Sequence, residues 1–182
     1  MISGLDWYPT LMAAAGNPEI TDQLLKGVDL GGRTYKNHLD GYDQTALITG
    51  KGPSARHELF YFGGAQLGAV RLDDMKYIFY QQSQGWPGPK TVTDMPLLVN
   101  IGQDPFERTP MISGETPAAG AFGYGNDFYA REFWRFVSVQ KAVLDLAKTA
   151  VEYPPMQDPA SFNLSALKGQ IEEMIKKSRA ND

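Results

Sequence analysis

Between Glu58 and Ile101 the chain carries short runs of aromatic and β-branched residues broken by turn formers, and this pattern restricts the fold more than any other feature. Glu58-Leu59-Phe60-Tyr61-Phe62 is followed by Gly63-Gly64, then Gln66 to Leu72, then Asp73-Asp74, then Lys76 to Gln81. Such runs suit a pleated, half-buried surface, and breaks this short join adjacent antiparallel strands. A fourth run, Leu97 to Ile101, ends in Gly102-Gln103-Asp104-Pro105, where the Asp-Pro pair favours a turn and stops the ladder. The expectation is a four-stranded antiparallel meander.

Helical spacing brackets this sheet on both sides. From Asp6 to Ala15, Leu5, Tyr8, Leu11, Met12 and Ala15 fall on one side, Pro9 fits a first turn, and Gly16-Asn17-Pro18 is a stop. Thr21 to Lys26 reads as a further helical turn, and Gly31-Gly32-Arg33-Thr34 as a turn into an extended Tyr35 to Leu39. After the sheet, Asp127 to Val151 carries Phe133, Phe136, Val137, Val143, Leu144 and Ala147 in an apolar stripe, with Asp127 as cap and Pro154-Pro155 as stop. A C-terminal helix from Asn163 to Lys177 places Leu164, Leu167, Ile171, Met174 and Ile175 on one face. Ser83 to Pro96 and Thr109 to Asn126 read as long loops, which in a compact domain are places to look for contacts. The fold class expected is α+β: a small four-stranded antiparallel sheet with flanking helices, among them a long helix after the sheet and the C-terminal one.

The charge balance narrows the partners. A formal net charge of −4 with no basic block gives no electrostatic pull toward nucleic acid. No stretch approaches a membrane span and the start has no secretory-signal pattern, so a soluble chain is expected and its compartment stays open. With no cysteine, disulfides, zinc-thiolate sites and cysteine nucleophiles are all removed.

Several stretches, in order, resemble the C-terminal region of bacterial-type arylsulfatases, members of the alkaline-phosphatase-like superfamily. Leu5-Asp6-Trp7-Tyr8-Pro9-Thr10-Leu11 through Gly16 is similar to the family's aspartate, proline-threonine and alanine-glycine helix. His38-Leu39-Asp40-Gly41-Tyr42, Gly50 to Arg56 and Glu58 to Phe62 resemble the segment leading from that helix to the C-terminal sheet. Leu67 to Arg71 with Met75-Lys76-Tyr77 resembles the family's hairpin, and Leu98-Val99-Asn100-Ile101 with Asp104-Pro105-Phe106-Glu107 its acidic-proline turn. The resemblance runs to about Pro155 and divides the chain into 1–56, leading out of a catalytic domain, and 57–182, a sheet-and-helix subdomain.

The family hydrolyses sulfate esters with a formylglycine made from the Cys or Ser of a Cys/Ser-x-Pro-x-Arg motif, beside a divalent cation, typically calcium. No serine here begins that pattern, so the resemblance implies a chain that carries no catalytic or metal-binding residue and no cofactor of its own. It also implies a missing N-terminal sulfatase catalytic domain as partner, in a parent that is periplasmic in one reading. A truncated or split gene, with Met1 an internal residue, fits the same picture. Trp7, Tyr8 and Leu11 are then the candidates for an interface with that domain, with self-association expected if it stays exposed, and His57 and Trp86 are the candidates for a substrate rim.

Two other readings stand beside this one. A freestanding binding or interaction module without catalysis keeps the sheet alone, and an independent hydrolase would draw its base from His38 or His57, the two histidines. Asp73-Asp74 invites a metal reading because hard cations take carboxylate oxygens, but adjacent aspartates between two strands are ordinary turn chemistry. Trp7 and Trp134 are expected in a core or an interface.

Overall fold

A computed structural model describes residues 1–63, 66–82, 84–85, 87–108 and 131–154. Among the described residues the chain divides into two compact units, one holding Met1–His57 together with Lys148 to Pro154, the other holding Glu58–Ala147.

In the first unit, a 3-10 turn at Gly4–Asp6 leads into helix α1, Trp7–Ala14. Ser3 and Asp6 form a reciprocal capping box, so the backbone donors that the turn would orphan are satisfied locally. Helix α2, Ile20–Lys26, buries Ile20 and Leu24 and ends at Gly27, which sits at positive φ. A hairpin follows, β1 Val28–Leu30 paired with β2 Arg33–Tyr35. Its two central residues, Gly31 and Gly32, have φ of 66° and 82°, the pair of positive values a type I′ turn requires. Of the extended stretch expected from Tyr35 to Leu39, Tyr35 lies in the strand, at the end of the ladder opposite Val28. A short helix α3, Thr45–Ile48, starts where the Asp43 carboxylate accepts from the Thr45 N–H at 2.8 Å.

In the second unit the expected meander is present as β3 Glu58–Gly63, β4 Gln66–Leu72, β5 Met75–Gln81 and β6 Thr91–Asn100, in that spatial order and antiparallel throughout. The register produces two rows. Phe60, Val70, Tyr77 and Leu98 are aligned across the sheet on one face, and Tyr61, Ala69, Ile78 and Leu97 on the other. The first row joins the larger core cluster with Phe136 and Val139, while Ala69, Ile78 and Val99 form a smaller one.

Strand β6 corrects the loop expected from Ser83 to Pro96, since it begins at Thr91. Its register shifts between Ile78 and Tyr80, leaving residues 93–96 opposite Phe79 alone. That bulge on an edge strand is where Pro96, which cannot donate to a ladder, is tolerated. Asp73-Asp74 forms the two-residue connection between Leu72 and Met75, with Asp73 at φ 49° and its carbonyl accepting from Arg71 Nε at 2.6 Å. This is the turn expected of it.

Helix α4 runs Arg135–Glu152, preceded by a helical Arg131-Glu132 and a turn at Phe133-Trp134. Its inward face carries Phe136, Val139 and Ala147, with Val143 half-buried. Phe136 meets Tyr77 edge-on, with centroids 5.9 Å apart, and the Tyr77 hydroxyl donates to the Arg135 carbonyl at 3.3 Å. Phe133, Val137 and Leu144, assigned from the sequence to the same stripe, are exposed, as is Trp134. The cap at Asp127, the loop 109–126 and the C-terminal helix 163–177 lie outside the described residues.

Candidate functional site

Beneath helix α1 lies a buried ionic cluster built from residues far apart in sequence. Arg56 and Asp6 are 3% and 1% exposed at their side chains, and Arg56 Nε donates to both carboxylate oxygens of Asp6, at 3.1 and 3.0 Å. The same carboxylate accepts from the backbone N–H of Ser3 at 2.8 Å, from that of Tyr42 at 2.9 Å and from Gln44 Nε2 at 3.3 Å. Arg56 also donates to the Asp40 carbonyl at 2.7 Å, and its guanidinium lies 4.8 Å from the Tyr42 ring centroid.

Thr10 extends the network. Its hydroxyl donates to the Asp6 carbonyl at 2.6 Å and accepts from the Gln44 N–H at 3.0 Å, while Gln44 Oε1 accepts from Ser54 and Ala55. Burial alone would raise the Asp6 carboxyl, but the Arg56 hydrogen bonds, the N–H groups of Tyr42 and Ser3, and the Arg56 charge outweigh it and hold the group at about 2. The cluster is thus an ionised clamp with its carboxylate fully employed, which is structural chemistry and not that of a group waiting for a proton.

Above this clamp the surface is apolar. Trp7, Tyr8 and Leu11, together with Ile2 and Leu5, are exposed, whereas Pro9 and Thr10 are the buried residues of α1. Leu5, Tyr8 and Leu11 of the expected apolar stripe therefore face outward, and of the core or interface expected for Trp7 its exposure rules out the core of this unit. The helix is anchored by polar contacts of Asp6 and Thr10 and not by its large apolar side chains.

His38 Nδ1 lies 3.2 Å from Asp40 Oδ1, and its ring centroid is 5.9 Å from that of Tyr153. The two side chains are 34% and 64% exposed, so the pair orients an imidazole without shielding it. His57 is exposed, next to buried Arg56, just ahead of β3. Trp86 lies outside the described residues. Of the candidates read from sequence, the structure thus brings Trp7, Tyr8 and Leu11 onto one short helix.

In the second unit, Lys76 Nζ bridges both Glu107 carboxylate oxygens at 2.7 and 2.8 Å and lies 4.9 Å from the Tyr61 ring centroid. This pair ties β5 to the turn after β6, where Glu107 has φ 52°. Among the described residues no group of three or more His, Asp or Glu side chains is placed to hold a metal ion. With no cysteine and no Ser-x-Pro-x-Arg, the sequence also holds no precursor for an aldehyde nucleophile.

Comparison with known families places this architecture. Residues 54–122 match the C-terminal region of aryl-sulfatase. The resemblance to the arylsulfatase C-terminal region, read from Leu5 to about Pro155, is thereby borne out, with the match covering 54–122. No curated protein matches the chain in sequence. Among solved structures, the PsFucS1 sulfatase from Pseudoalteromonas sp. superposes with a TM-score of 0.53 at 19% identity, over 84% of this chain and 26% of that one. The chain thus shares a fold with part of a sulfatase and spans about a quarter of that protein's length. No described helix is long and apolar enough to cross a membrane.

The strand order of the four-stranded sheet was legible in sequence, but the Asp6–Arg56 clamp was not. Its members lie 50 residues apart, and pairing across that distance has no periodic signature. The one local signal is Ser3-x-x-Asp6 ahead of an apolar run, a capping-box pattern that marks Asp6 as more than a surface charge.

Proposed function

We propose that this chain is the C-terminal subdomain of an arylsulfatase-like sulfuric ester hydrolase, which packs on a catalytic domain and contributes no catalytic group itself. The observation carrying this reading is the match of residues 54–122 to the aryl-sulfatase C-terminal region, on a four-stranded meander backed by α4. Formylglycine and the divalent cation belong to the partner in this reading. His57 and Trp86 border its substrate, the first from the segment ahead of β3 and the second from the segment before β6.

The test is to read the DNA immediately upstream for a Cys/Ser-x-Pro-x-Arg motif, co-express the polypeptide it encodes with this chain, and assay aryl-sulfate hydrolysis. Turnover by the pair with none by the 182-residue chain alone is the expected result. Turnover by the chain alone, lost on His57→Ala or His38→Ala, overturns it. A monomeric chain that melts cooperatively, with no such upstream frame, would instead identify a freestanding module.

A further inference from the structure

From Met1 to Pro18 the sequence contains one charged side chain, Asp6, and the structure withdraws it from the surface by pairing it with Arg56 at 1% exposure. What remains outside is neutral: Ile2, Leu5, Trp7, Tyr8 and Leu11 are between 48% and 59% exposed. Within α1, Trp7, Tyr8 and Leu11 fall inside an arc of about 100° of the helix circumference. A helix facing water normally presents charge on such an arc, and this one presents two aromatic rings and a leucine. Charge depletion with Trp and Tyr enrichment is the composition of the centre of a protein–protein interface.

The surface is also preformed. Asp6 accepts hydrogen bonds from Ser3, Tyr42, Gln44 and Arg56, and Thr10 is held on the same network, so little ordering remains to be done on binding. Its outward residues offer no cation to an anionic ester or a nucleic acid, and a folded apolar surface is the chemistry it fits.

We infer that this face, centred on Leu5, Tyr8 and Leu11 with Trp7 and Ile2 at its margin, is where the sulfatase catalytic domain seats. The inference rests on the functional reading above and names the surface that reading needs. The related sulfatase supplies the argument for the occupant: 84% of this chain corresponds to 26% of that protein, so most of a sulfatase is polypeptide with no counterpart here.

The test uses the full chain and the upstream-encoded polypeptide, with Leu5→Glu/Leu11→Glu as one variant, Trp7→Ala/Tyr8→Ala as a second and Asp22→Lys on α2 as a control. Circular dichroism and melting confirm that each folds. Wild type and the control should bind the polypeptide, while both surface variants bind at least tenfold more weakly, a loss of about 1.4 kcal/mol or more. The wild-type chain alone should bind an apolar-surface dye, and the Glu variant should bind less. Folded surface variants that bind as tightly as wild type overturn the assignment while leaving the functional reading intact. If the wild type itself does not bind, the functional reading and this assignment fall together. A wild-type chain that binds no dye overturns the assignment alone.

Discussion

Asp6 and Gly41 show how single residues hold the first unit together. An unfolded aspartate titrates near 3.9 and folded Asp6 at about 2, so its contribution is complete above the unfolded value and is lost as pH falls from about 4 toward 2. The difference amounts to about 2.5 kcal/mol. Denaturant unfolding followed between pH 6 and pH 2 should show that decline in the wild type, and Asp6→Asn should remove this residue's part of it. Asp6→Asn should also start about 3–5 kcal/mol lower at pH 7, because Arg56 is left buried without its counter-charge. Replacing both partners with apolar residues should not restore full stability here, since the Ser3 and Tyr42 N–H groups lose their acceptor, at about 1–3 kcal/mol each. Gly41 is tight for a different reason: a Cβ there would strike the Leu5 carbonyl and approach Pro9 Cδ at 3.1 Å, neither of which can swing away. Gly41→Ala should therefore lower stability by about 1–3 kcal/mol in a thermal or denaturant melt.

At the scale of elements, α4 and the sheet divide their apolar residues in a way the periodic pattern blurs. Val139, which the stripe read from sequence leaves out, is 2% exposed, whereas Val137, which it includes, is 70% exposed. Phe136→Ala should cost about 3–5 kcal/mol, because the ring fills the space against Tyr77 and Val139. Val137→Ala should stay within about 0.5 kcal/mol, and chemical denaturation of the two variants side by side checks the contrast. On the other face of the sheet, Tyr80 lies over Gly63 and Gly68, whose missing Cβ atoms make room for its ring and hydroxyl. Gly68→Val should push the ring aside, visible as a lowered melting temperature that Tyr80→Ala in the same chain partly relieves.

For the whole molecule, the central expectation is catalytic: aryl-sulfate turnover should be absent from the purified chain whatever divalent cation is added, since no residue can become the aldehyde nucleophile. It should appear only with a partner that carries that residue. The sequence by itself determined the meander, because Gly63-Gly64 and Asp73-Asp74 punctuate alternating runs whose period is that of a strand, and local turn chemistry sets register over so few residues. It also determined the family resemblance, carried by ordered short motifs. Pro96 concealed the first half of β6, since a proline argues against a strand unless the strand is known to be a bulged edge. Only the tertiary structure decided which apolar residues face inward and that Asp6 is spent on Arg56. Those outcomes depend on contacts between distant residues, and there local periodicity predicts an apolar face without saying what, if anything, covers it.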